Sequence, residues 1–236
     1  MYGWATEHSW NKKHTMRTVR LLFFMAMAVA CQQAPKADKA EVTDAQAVKQ
    51  PDATGRSHQL DTAASVLYWI GTKPTGEHKG SFRFSQGELH IKDSVLTSGQ
   101  FVIDINSLRN LDLASQPDMR IKLEDELRGA NFFDAHQYPT ARFEITGVEE
   151  YHPAATDKSV LLKDATHMIR GNLTIKNVSK NISFPAKIAL KEGKVMATAD
   201  FNIDRTQWGM TYRADKSLQD KLINSIVNIR FEIVTR

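Results

Sequence analysis

One cysteine among 236 residues, Cys31, leaves no partner for an intrachain disulfide and no set of thiolates for a structural zinc site. Long apolar runs are also scarce. Leu21 to Ala30 is uninterrupted, but it is only about half of the roughly 20 residues that a membrane-spanning helix needs. An excess of one charge is missing from most of the chain. The formal net charge is +4, yet taking Lys12, Lys13, Arg17, Arg20 and Glu7 from the 31 basic and 27 acidic residues leaves 27 and 26 over residues 31–236, a net of +1. That balance excludes the basic footprint of a nucleic-acid binder. Catalytic constellations are lacking too. No Gly-x-Ser-x-Gly elbow occurs, and Asp204-Arg205 has no nucleophile or second carboxylate at useful spacing, so the pair reads as a turn-fixing ion pair. The histidines (His8, His14, His58, His78, His90, His136, His152 and His167) are scattered without a zincin-type pair. Neither an enzyme nor a metal or cofactor site is expected.

What is present begins with an address. Met16-Arg17-Thr18-Val19-Arg20 is basic, Leu21 to Ala30 is apolar, and small Ala28 and Ala30 precede Cys31. This is the order of a secretory signal over residues 1–30, and its end resembles the bacterial lipobox, in which the cysteine is lipidated and becomes the mature N-terminus. Residues 1–15 precede a credible start at Met16 and read as a mis-called start. From Gln32 to Arg56 there is no aromatic residue, and Val42 and Val48 are the only larger aliphatics. Residues 31–56 therefore read as a lipidated Cys31 followed by a disordered tether. The expected location is the bacterial cell envelope, with the chain anchored through Cys31 and facing the periplasm or the cell surface.

Residues 57–236 read as one domain whose apolar side chains recur at every second position, the signature of strands with one buried face. Phe82 and Phe84 alternate with Ser81, Arg83 and Ser85; Phe101, Ile103 and Ile105 flank Asp104; Val227, Ile229, Phe231 and Ile233 alternate with Asn228, Arg230 and Glu232. Further runs surround Leu89, Phe143, Leu173, Phe184 and Phe201, which gives about eight strands. Hairpin turns are expected at Gln86-Gly87, Ser98-Gly99, Asn177-Val178-Ser179-Lys180 and Lys191-Glu192-Gly193-Lys194. Helical spacing predicts a helix over 115–128, stopped by Gly129, and a shorter one over 215–224. Such a pattern fits a closed barrel or a sandwich, and periodicity alone does not say whether a barrel's apolar face points inward or, as in an outer membrane, outward. The lack of aromatic girdles at strand ends speaks against the outer membrane.

Four ordered segments carry a resemblance. Tyr68-Trp69-Ile70-Gly71-Thr72-Lys73-Pro74-Thr75-Gly76-Glu77-His78-Lys79-Gly80-Ser81-Phe82, Leu127-Arg128-Gly129-Ala130-Asn131-Phe132-Phe133-Asp134 followed by Tyr138-Pro139-Thr140-Ala141-Arg142-Phe143, Ile169-Arg170-Gly171-Asn172-Leu173-Thr174-Ile175-Lys176-Asn177-Val178-Ser179-Lys180 and Phe201-Asn202-Ile203-Asp204-Arg205-Thr206-Gln207-Trp208-Gly209 resemble the YceI-like bacterial polyisoprenoid-binding proteins. Asn131 and Asn177 depart from that pattern, where an acid or Ser, and Gly, are usual. The resemblance implies an all-β, lipocalin-like closed antiparallel barrel with one or two short helices that encloses a long-chain lipid: an isoprenoid quinone, a prenyl phosphate or a fatty amphiphile. It implies walls built from Trp69, Phe82, Phe84, Phe101, Ile103, Phe143, Phe184, Phe201, Ile229 and Phe231, with Lys73 and His78 near a headgroup. The same aromatic residues would equally fill a solid core in a ligand-free structural or interaction barrel, since eight strands accommodate either. A homodimer is left open.

Overall fold

The computed structural model describes Met1, Gly3 and residues 33–236; the apolar run, the cut site and Cys31 lie outside the described residues. In chain order the strands are β1 (Asp38–Lys39), β2 (Glu41–Asp44), β3 (Arg56–Gln59), β4 (Val66–Lys73), β5 (Gly76–Lys92), β6 (Val95–Asn110), β7 (Thr140–Glu150), β8 (His167–Ile175), β9 (Val178–Lys191), β10 (Lys194–Asp204) and β11 (Ile226–Val234). Helix α1 (Pro117–Arg128) lies between β6 and β7, and two 3-10 turns, η1 (Arg205–Trp208) and η2 (Lys216–Lys221), lie between β10 and β11. From β4 to β11 each strand is antiparallel to the next, and β11 returns to β4 through pairs such as Ile229 with Trp69. Eight strands thus close into a barrel. Its apolar phase points inward: Phe82, Phe84, Phe101, Ile103, Phe184 and Phe201 are buried in one core, while Arg83, Lys187 and Arg230 face out.

Backbone geometry explains where the chain turns. Asp93 and Ser94 both have positive φ (50° and 66°), as do Lys176 and Asn177 (51° and 60°) and Glu192 and Gly193 (52° and 75°). Two consecutive left-handed residues make the turn whose twist matches the flanking strands. The Lys191–Lys194 turn therefore stands as expected, and the Asn177 turn is tighter than expected, closing on Lys176-Asn177. The turns expected at Gln86-Gly87 and Ser98-Gly99 are corrected: both dipeptides lie inside long strands. β5 and β6 instead slip register between Phe84 and Gln86 and between His90 and Ile91. The first slip moves the inward phase from even positions (Phe82, Phe84) to odd ones (Leu89, Ile91) without ending the strand.

Helix α1 starts at Pro117, where a missing amide costs nothing, and not at Ser115. It is fixed less by apolar packing than by charge. Buried Glu124 accepts from the Asn110 amide at 2.8 Å and lies within 3.8 Å of Arg120 and 3.4 Å of Arg128. Met119 and Ile121 stay exposed. The shorter helix expected over 215–224 is a kinked 3-10 turn, capped where Asp215 accepts from the Ser217 amide.

A disordered tether through residue 56 is not what the structure shows. Residues 35–49 pass from the free edge of β10 to that of β9 and on to Asn172 of β8 and Ile145 of β7. The Asn202 amide group donates to Pro35 O, Ala40 N donates to Asn202 O, Gln46 and Asn172 exchange two hydrogen bonds, and Lys49 N donates to Ile145 O. β3 then pairs with β5. Composition weighs side chains, and this segment is ordered chiefly through its backbone.

Candidate functional site

Inside the barrel the side chains do not fill the whole interior. They enclose a cavity of about 490 Å³, about three times the roughly 150 Å³ that accepts one benzene ring. The volume lies in the range of small-molecule sites.

Two aromatic groups shape it. On one side Phe184 stacks on Phe201 (centroids 4.2 Å apart, planes at 12°), and Phe143 and Phe231 each stand 5.8 Å from Phe184. On the other, Phe84 lies 5.9 Å from Phe101, and Phe82 meets Phe133 edge-on at 5.3 Å. Gly171 makes room for the Phe143 ring, which a Cβ there would overlap. Trp69, Ile103 and Ile229 complete the wall among the expected residues. All ten expected apolar residues therefore face one cavity.

Polar groups gather at one end. Lys73 and His78 lie there, joined by Lys122 and Glu126 of α1 and by Arg213, Asp220 and Lys221 of the segment before β11. His78 Nδ1 is 2.8 Å from Asp112 Oδ2, and the Lys79 amide and Asn110 side chain donate to the same carboxylate. Burial opposes charge on Asp112, but these donors prevail and hold its carboxyl below the usual range. Among the described residues no group of His, Cys, Asp and Glu is placed to hold a metal ion.

Arg205 organises this rim. Its guanidinium is buried and donates to the carbonyls of Met210, Tyr212, Ile223 and Asn224. Burial lowers its pKa while Asp204 works the other way. The expected Asp204–Arg205 ion pair is thus corrected: Asp204 accepts from the Thr206 amide at 3.0 Å, and each side chain fixes its own piece of backbone. Sequence reasoning missed Leu123 and Leu127 of α1 and Ile223 and Arg213 of the rim, all of which border the cavity. Nothing local marks them, because they meet the barrel only through tertiary placement.

A closed eight-stranded antiparallel barrel with an apolar cavity and a polar rim belongs to the lipocalin-like architectures. More specifically, the chain belongs to the YceI-like domain family, whose model matches residues 58–235. Solved structures share the fold, two of them as follows. The crystal structure of Burkholderia cenocepacia BcnA is 21% identical with a TM-score of 0.57, covering 75% of this chain and 99% of that one. A polyisoprenoid binding domain from Saccharophagus degradans, implicated in plant cell wall breakdown, is 16% identical with a TM-score of 0.51, covering 76% and 97%. No curated protein matches the sequence.

Proposed function

We propose that this protein holds a long isoprenoid, or a similar amphiphile, with its tail in the barrel and its headgroup at the rim of Lys73 and His78. The carrying observation is the cavity of about 490 Å³ walled by the inward side chains of the strands. A structural barrel with a filled core would bring Phe84 and Phe101 into contact with the opposite wall, and no such void would remain. The polyisoprenoid binding named for the Saccharophagus degradans domain supports this chemical class. The chain acts as a binding protein for transport, storage or sensing, tethered to the cell envelope by lipidated Cys31. That last element rests on the sequence around Ala28, Ala30 and Cys31.

Native mass spectrometry of the protein purified from envelope fractions tests the reading. A reproducible non-covalent adduct of a few hundred daltons that disappears on organic extraction is expected. Bare protein from several hosts would refute it.

A further inference from the structure

The barrel wall is not continuous between β9 and β10. These two strands pair with each other only from Lys187 to Lys191 and from Lys194 to Thr198. Beyond that they diverge, and the remaining edges belong to the N-terminal segment: Asp38 and Lys39 run parallel to Phe201 and Asn202 of β10, then Glu41 to Asp44 run antiparallel to Ser183 to Lys180 of β9. Residues 38–44 thus cross a slot from one lip to the other. The inner sides of the lips are cavity wall, with Ile182 and Phe184 on β9 and Phe201 and Ile203 on β10. The segment itself alternates, with Asp38 and Ala40 buried, Val42 half-buried and Lys39, Glu41 and Thr43 exposed. It lies outside the region that the family model matches, which begins at residue 58.

The closures around the cavity differ in strength. At the rim, α1 is held to β6 by buried Glu124, which accepts from the Asn110 amide, and by Arg128, which donates to Leu108 O, and the segment before β11 is held by Arg205 on four carbonyls. Charge-assisted bonds made by buried groups are costly to break. Across the slot, β1 and β2 contribute six residues, each paired on one side only; the most buried apolar side chain is Ala40, the side-chain hold is the buried Asp38 carboxylate on the Leu161 and Leu162 amides, and on the cavity side the two lips meet through the Phe184–Phe201 stack. Few buried apolar contacts and one-sided pairing mark the element that opens first. A slot along the strands also suits a long chain, which enters sideways over its whole length and need not thread end-on past α1.

We propose that residues 38–44 are a displaceable strand, a side door of the cavity, and that lipid tails enter and leave between β9 and β10. The proposal rests on the lipid-holding reading. Glu41 and Ser183 are register partners with outward side chains away from the cavity, so Glu41→Cys with Ser183→Cys, in full-length Cys31→Ser protein, locks the door when oxidised. The measurement is transfer of cis-parinaric acid from protein to phosphatidylcholine vesicles, with equilibrium binding measured in parallel. The oxidised form should release at least ten times more slowly than the reduced form, with the same affinity. Asp38→Asn, which weakens the carboxylate that accepts from the Leu161 and Leu162 amides, should release several times faster than the parent. Equal rates for oxidised, reduced and Asp38→Asn proteins at unchanged affinity would overturn the door and leave the lipid-holding reading standing. Absence of parinarate binding in every form would overturn both.

Discussion

Replacing Phe231 by Ala separates a cavity wall from a filled core. In a filled core the truncation costs about 3–5 kcal/mol, because the neighbours cannot collapse onto the space. Here the Phe231 ring meets Phe184 and Phe201 edge-on, at 5.8 and 6.4 Å, and its remaining face borders the cavity. The loss is then two edge contacts of about 0.5–1.5 kcal/mol each and no new void, about 2 kcal/mol in all. Phe184→Ala serves as the internal control. That ring is stacked on Phe201 and flanked by Phe143 and Phe231, so the full 3–5 kcal/mol of a core residue is expected. Urea unfolding of delipidated protein gives the energies, and native mass spectrometry gives lipid bound per chain. Phe231→Ala should lose most of its bound lipid while remaining folded. A loss above about 3 kcal/mol with unchanged lipid occupancy would show that the ring packs a core, and the reasoning would fail.

Three further outcomes follow from features of the sequence and the rim. Cys31→Ser should move the protein from the membrane to the soluble envelope fraction; sedimentation with membranes through a salt wash would refute the lipid anchor. The depressed Asp112 carboxyl contributes stability that is present above its unfolded pKa of about 4 and is lost as pH falls through its lower folded value. Asp112→Asn should therefore flatten the acid limb of stability below about pH 4, and curves that stay parallel to the parent's would count against this role. Arg205→Leu leaves four carbonyls without their donor and should cost on the order of 3 kcal/mol or more in urea unfolding; a near-neutral effect would show that the rim does not depend on it.

The phase of the walls was legible from sequence because side-chain direction in a strand has period two. Knowing that Arg230 and Glu232 meet water is enough to turn Ile229 and Phe231 inward. What was misread shares a cause. Gln86-Gly87 and Ser98-Gly99 carry turn composition, but the Gln86 register shift re-phases a strand at no cost in length, whereas the true turn falls on Asp93-Ser94, where both residues take positive φ. The segment 38–44 looked too polar to fold because its partners, the free edges of β9 and β10, exist only once the barrel has formed. The rim residues Arg213 and Ile223 are likewise brought to the cavity by Arg205, whose carbonyl partners no spacing rule predicts.

The closure of the barrel by its last strand has a consequence for how the chain matures. From β4 to β10 each strand pairs with its neighbour in sequence, but β11 pairs with β4 across more than 150 residues, Val227 with Gly71 and Glu232 with Val66. Long-range pairing is slow because loop-closure entropy comes before the contact. Until β11 docks on β4 the chain is thus an open sheet. A chain ending before Ile226 exposes the edges of β4 and β10 together, and it is an aggregation-prone ribbon, not a smaller barrel.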